Sequence, residues 1–187
     1  MNAVALYRDD GPMALAIGRF GSHHRPWLFA LVAAAPVAAV AGAGLSKVAV
    51  FAATVWAVAV GGSSSGAPHT GRLDWTAVPL LRTAEYAVIA IVGLAGDVSP
   101  PLVFVLLCAI AFHDYDTVDR MRQGRAGESD RRAAVRLLGL GWDGRLLLVA
   151  VGYLAGQTTG VYIAATAYLW LLFAVESAHG WFRRSVA

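Results

Sequence analysis

Leu102-Val103-Phe104-Val105-Leu106-Leu107-Cys108-Ala109-Ile110-Ala111-Phe112-His113-Asp114-Tyr115-Asp116-Thr117-Val118-Asp119-Arg120 passes from an apolar run to a charged one without a break. The apolar half suits a bilayer. The polar half puts three carboxylates near a helix C-terminus, where the helix dipole disfavours negative charge. Acids persist there when a cation stands nearby, whether an arginine or a metal ion. This stretch predicts a membrane helix that ends in a charged interface.

The rest of the chain agrees. It has 187 residues, 58% hydrophobic and 14% charged, against about 25% charged in soluble domains. Such a composition predicts an all-α, polytopic membrane helix bundle of about six transmembrane helices. No soluble domain boundary and no repeat interrupts it. Residues 1–26 read as a cytoplasmic lead with a short amphipathic surface helix over Met13–Phe20, and no signal-peptide core. Residues 27–182 read as one six-helix membrane domain, and residues 183–187 as a cytoplasmic tail. The spans are expected at Trp27–Leu45, Val48–Val60, Asp74–Gly96, Leu102–Phe112 with a helical extension to Gln123, Asp143–Thr158 and Gly160–Glu176. Asp74 and Asp143 are placed as N-caps. A further amphipathic helix is expected over Arg131–Leu138.

Charge fixes orientation through the positive-inside rule. The formal charge is +3, carried by 14 arginines and one lysine. Seven arginines fall in the 114–145 connection. With that connection in the cytoplasm, the lead, the Arg72 loop and the Arg183-Arg184 tail also fall inside. An inner-membrane protein, N-in and C-in, follows. The single Cys108 lies in an apolar span and excludes an intrachain disulfide. No Walker motif, dinucleotide fingerprint or nucleophile elbow is present, and nothing points to nucleic acid.

Under that topology Asp74, Asp114, Asp116, Asp119 and Asp143 gather at the cytoplasmic interface, with Asp9 and Asp10. Asp116 and Asp119 share a helix face, as do His113 and Asp116. If the fourth and fifth spans are neighbours, their polar ends converge. Asp114, Asp116, Asp119 and Asp143 are then candidate ligands for Mg²⁺ or Mn²⁺ that bridges to phosphate. Arg82, Arg120 and Arg145 are candidate phosphate clamps, and His113 a candidate acid or base. The competing reading pairs Asp116 with Arg120, and Asp119 with Arg122 or Arg125, with no ligand. Arg82 and Glu85 lie deep in the third span, where ionisable residues are costly. They fit the floor of a polar pocket shared with Asp74, or a mutual i,i+3 ion pair. Asp9-Asp10-Gly11-Pro12 reads as a turn with a helix cap, with the alternative that it brings further acids to the same face. Trp27, Trp75, Trp142, Trp170 and Trp181 fit an interfacial belt. Gly152, Gly156 and Gly160 form tandem GxxxG, suited to packing within the bundle or to a homodimer.

Four segments carry a resemblance: Tyr7-Arg8-Asp9-Asp10-Gly11-Pro12, Gly71-Arg72-Leu73-Asp74-Trp75, His113 to Arg120, and Gly139-Leu140-Gly141-Trp142-Asp143-Gly144-Arg145. Together they resemble an uncharacterised bacterial membrane-domain family of unknown function, found appended to nucleotidyltransferase and CDP-alcohol phosphatidyltransferase modules. The resemblance covers most of the chain and implies a setting in phospholipid metabolism. The architecture also resembles the CDP-alcohol phosphatidyltransferases themselves. Of their signature, D-x-x-D-G-x-x-A-R then G-x-x-x-D-x-x-x-D, Asp116-Thr117-Val118-Asp119 supplies D-x-x-D, while Arg120 replaces the glycine and no A-R follows at the right spacing. Three functions follow as expectations. One is a phosphatidyltransferase-like domain binding a CDP-activated head group among membrane lipids. Another is a non-catalytic anchor for a lipid-synthesis enzyme, and the least favoured is a small transporter.

Overall fold

A computed structural model describes residues 8–21, 25–43, 46–122 and 137–182. Every regular element among them is helical. They are α1 (Pro12–Gly18), α2 (Pro26–Ala43), α3 (Lys47–Ser63), a 3₁₀ turn at Asp74–Thr76, α4 (Ala77–Ala95), α5 (Pro100–Arg122), α6 (Gly141–Leu154) and α7 (Thr158–Phe182). The helix expected over Arg131–Leu138 lies largely outside the described residues, as do the Arg120 side chain and the Arg183-Arg184 tail.

By length and composition, Asp74–Ala95, Pro100–Asp119 and Thr158–Ala178 can each cross a membrane. Pro26–Ala39 and Lys47–Ser63 are shorter apolar helices. Large apolar side chains also face outward, among them Phe104, Ile163 and Leu171, each more than half exposed. Water would not tolerate so many on so few helices, whereas hydrocarbon does. The chain is therefore a helical protein built for a bilayer.

The helices form one bundle. α2 packs against α3 and α4, and α3 packs against α6. α4 and α7 each pack against both α5 and α6. α5 and α6, which could be neighbours by sequence, pack chiefly on α4 and α7 and face each other across a small apolar pocket lined by Leu106, Ile110, Leu148 and Val149. The core between them holds Val88, Ile89 and Val92 of α4, Leu106 and Ile110 of α5, Leu146 and Val149 of α6, and Leu169 and Phe173 of α7.

The caps differ from those expected. Asp74 sits inside the 3₁₀ turn and accepts from the Gly71 N–H at 2.6 Å, so it closes the preceding loop rather than starting α4. The tandem GxxxG spans a turn and is not one helical face. Gly156 is the left-handed residue that ends α6 (φ 72°), with the Gln157 N–H returning to the Gly152 carbonyl at 2.8 Å. That pattern is a Schellman stop, which favours glycine because it has no Cβ to clash. Of the three, only Gly152 is packed closely, against Val161 of α7. Trp142 is not an interfacial anchor either. It is 1% exposed, and its indole donates to Asp10 at 2.8 Å.

Gly61 marks where α3 meets that indole. A Cβ there would stand 2.8 Å from the Trp142 ring and 2.9 Å from Leu81, while one at Gly160 would meet nothing within 4 Å. Gly61→Ala is expected to cost about 1–3 kcal/mol by overpacking. Gly160→Ala is expected to leave stability unchanged or slightly raised. Thermal unfolding of both variants in detergent checks the pair.

Candidate functional site

Lys47 and Asp97 lie at one end of the bundle, and most of the described charged side chains collect at the other. The C-termini of α3, α5 and α7 and the N-termini of α4 and α6 meet there, and α1 lies across them, packed on α3 and α6. Three linked clusters result.

The first seats α1. Its N-cap is Gly11, which has no side chain to satisfy the first N–H groups of the helix. Asp143 of α6 does so instead. One carboxylate oxygen accepts from the Gly11 N–H at 2.5 Å, and the other accepts from Met13 and Ala14, each at 3.0 Å. Asp143 was expected to cap its own helix, but it caps another. The gain combines hydrogen bonding with the favourable placement of an anion at a helix N-terminus. A side chain at Gly11 would collide with Asp143 and the Leu140 carbonyl, so glycine is required by contact.

The second cluster anchors the turn before α1. Arg8 is 1% exposed. Its Nε donates to Asp10 at 2.9 Å, and its two terminal nitrogens donate to Ser64 Oγ at 3.0 Å and the Gly61 carbonyl at 2.8 Å.

The third cluster is the largest. Arg145 donates from Nε to Glu85 at 2.6 Å, from one terminal nitrogen to Asp9 at 2.9 Å and from the other to the Gly139 carbonyl at 3.2 Å. Arg82 binds Glu85 at 2.8 Å and Asp114 at 3.0 Å and stands 3.9 Å from Asp9. Tyr86 donates its hydroxyl to Asp114 at 2.7 Å. His113 stacks on Phe173 with ring centroids 4.1 Å apart. Its two nitrogens each lie 3.6 Å from a carboxylate, Asp9 on one side and Glu176 of α7 on the other. Two arginines and one histidine thus face four carboxylates.

Burial pushes the Asp9 carboxyl up, but Arg145, His113 and Arg82 outweigh it and hold it well below the usual carboxylate range. Arg145 acts through its charge, and His113 through both a hydrogen bond and its charge. Arg8, Tyr86 and Glu176 are absent from the candidate set read from sequence, and Asp9 was placed at the interface without a role in the site. The signal for Glu176 was an acid in an apolar helix. For Asp9 the signal was the Asp9-Asp10 pair placed at the same interface as the other acids; for Arg8 it was only the charged lead.

Of the expected residues, Arg82, Glu85, His113, Asp114 and Arg145 come together. Asp143 stands in the neighbouring α1 cluster and Asp74 in its own loop. Asp116 and Asp119 are half-buried on the last turns of α5. The oxygens of Asp143 are taken by backbone N–H groups, and those of Asp114 by Arg82 and Tyr86. Among the described residues no group of three or more His, Cys, Asp or Glu side chains is positioned to hold a metal ion.

A model of a protein family described only as a family of unknown function, DUF5941, matches residues 1–186. The chain belongs to that family. No curated protein and no solved structure matches it. For this DUF5941 member, the site must therefore be read from its own geometry.

Asp9 gives the family member a defined acid response. Its carboxyl is depressed in the folded state, so its stabilisation is complete above the unfolded value of about 3.9. That stabilisation drains away as pH falls below this value toward the folded one. We expect the melting temperature to fall from about pH 4 downward. Asp9→Asn should lose about 1.5–3 kcal/mol at neutral pH, the range of a charge-assisted hydrogen bond, because Arg145 keeps Glu85 but loses its second carboxylate, and should flatten this part of the acid profile. Thermal scans of both proteins across pH test this.

Proposed function

We propose that this chain is a six-span domain of the bacterial inner membrane, with both ends cytoplasmic. In this reading it serves phospholipid metabolism as a non-catalytic accessory to a membrane enzyme. The partner would be of the nucleotidyltransferase or CDP-alcohol phosphatidyltransferase kind.

One observation carries the non-catalytic reading. All three guanidinium nitrogens of Arg145 are bound by Glu85, Asp9 and the Gly139 carbonyl. Asp143, expected as a metal ligand, accepts three backbone N–H groups instead. Groups that would hold a phosphate or a metal are spent on the protein itself. Saturated charges of this kind fix helix positions, as an anchor requires. Support for the topology comes from the arginines of the lead, the Arg72 loop and the 114–145 connection, which fall on one side if the spans alternate.

A second reading has an observation of its own. Replacing a buried ion network by apolar packing is often neutral or stabilising. Four carboxylates and two arginines in an apolar bundle therefore exceed what stability asks. In that reading the domain is phosphatidyltransferase-like. Asp116 and Asp119 would share Mg²⁺ or Mn²⁺, and Arg82, Arg120 and Arg145 would hold the phosphates of a CDP-activated head group.

The two readings separate in one assay. The purified chain is incubated with CDP-diacylglycerol, candidate alcohol acceptors and Mg²⁺ or Mn²⁺, beside an Asp116→Asn/Asp119→Asn variant. The accessory reading predicts no transfer product from either protein. It also predicts that the wild type co-purifies with a phosphatidyltransferase or nucleotidyltransferase from its own membranes. Metal-dependent turnover lost in the variant would establish the second reading instead.

A further inference from the structure

Trp56 does not sit where a membrane helix usually carries a tryptophan. Belt residues lie near span ends, but Trp56 lies in the middle of α3 and is 48% exposed. Its indole N–H crosses to α2 and donates to the Val32 carbonyl at 3.1 Å. A helix carbonyl ordinarily accepts from the N–H four residues on. Four residues after Val32 stands Pro36, inside α2, and a proline has no N–H to give. The indole therefore stands in for the backbone donor that the proline removes.

The surroundings make that replacement matter. Val32 is exposed and Pro36 half-buried, so the freed carbonyl lies toward the outer face of α2 and not in the core. In a bilayer no water meets it there, and an unsatisfied backbone carbonyl in hydrocarbon is costly. A buried indole N–H needs a partner for the same reason. Trp170 makes the ordinary form of this contact. Its Nε1 donates to the Val105 carbonyl of α5, also at 3.1 Å, but Ala109, four residues on, keeps its N–H. Val105 does not depend on Trp170 as Val32 depends on Trp56.

The break in α2 also stands beside loose packing. A proline inside a helix removes one rung of its ladder and bends it. Val37 of α2, Val50 and Ala53 of α3 and Val88, Ile91 and Val92 of α4 border an apolar gap of about 210 Å³, counting its open mouth. Val37 follows Pro36 directly, and Ala53 lies one turn from Trp56. The inward face of α2 before the break is built from small side chains, Ala30 and Ala33. A weak point in the backbone, slack beside it and one side-chain donor across it thus share one level of the bundle.

We propose that Pro36 and Trp56 form a latched hinge in α2. With the indole on the Val32 carbonyl, the two halves of the helix are held as one. When it lets go, they move against each other at the expense of the gap. Opening unwinds no helical turn, because the bond that breaks runs from side chain to backbone. The device goes beyond the accessory reading and depends on no partner enzyme or ligand. It gives the bundle an element that changes shape while the ion network at the polar end stays paired.

The test removes each half of the latch in the full-length protein, purified in a neutral detergent. Trp56→Phe keeps an aromatic ring and removes the donor. Pro36→Ala restores the missing N–H, so that Val32 no longer needs the indole. We expect Trp56→Phe to lower the melting temperature by several degrees in the wild-type background and by far less in the Pro36→Ala background. Trp170→Phe, the control, should cost the same in both. Equal losses from Trp56→Phe in the two backgrounds overturn the latch.

Amide exchange reads the hinge itself. Trp56→Phe should speed exchange several-fold over residues 33–40 and leave α4 and α5 unchanged, whereas Pro36→Ala should slow it there below wild type. A change spread evenly over all helices marks a general loss of stability and overturns the hinge. If Trp56→Phe does not fold, Pro36→Ala against wild type decides alone. Slower exchange confined to α2 supports the hinge, and unchanged exchange contradicts it.

Discussion

A charge removed from water must be paired, and in this bundle that requirement shapes one whole end of the fold. Glu85 is fully buried, on a helix otherwise apolar enough to cross a membrane. An isolated carboxylate there would be prohibitive. Arg82, one turn away on the same helix, supplies one partner, and Arg145 of α6 supplies the other at 2.6 Å. Those arginines then draw Asp114 from α5 and Asp9 from the lead, and His113 bridges toward Glu176 of α7. A polar network therefore links helices that do not all touch. It sets how their polar ends align along the bundle, which apolar packing alone leaves free to slide.

The lead belongs to the same constraint. A seven-residue helix is too short to be stable by itself. α1 exists because Asp143 satisfies its first N–H groups and because Ala14 and Gly18 bury against α3. Arg8 adds a second anchor through Ser64 and Gly61. Elements that look peripheral along the chain are thus wedged into the most charged part of the interior. The left-handed backbone at Asp9, Leu140 and Gly141 is tolerated because contacts on both sides over-determine it.

Helical class and the approximate placement of the long apolar helices were legible from composition and hydropathy, because both depend on local patterns. The Arg82–Glu85 pair was legible too, since i,i+3 spacing places the two on one helix face. Partners distant in sequence were not. Asp143 reads locally as an N-cap, and only the docking of α1 redirects it. Asp9 in Arg8-Asp9-Asp10-Gly11-Pro12 reads as a turn residue, and no period in the sequence ties it to Arg145. Gly156 fits a packing motif by spacing alone. The turn that makes it a helix stop is visible only once α6 and α7 part company. Trp142 likewise lies near a span end, as a belt residue would, yet its indole is drawn inward by Asp10.

The central claim is that Asp9 and Arg145, held far apart in sequence, are coupled through direct charge contact inside the bundle. A double-mutant cycle with Asp9→Asn, Arg145→Gln and the double variant measures that coupling. Reversible unfolding in mixed micelles provides the readout. The account predicts strong non-additivity, on the order of 1–3 kcal/mol, with the double variant far less damaged than the two single losses together imply. Additive losses, within about 0.5 kcal/mol, would mean that the two side chains do not share a network, and would contradict the account.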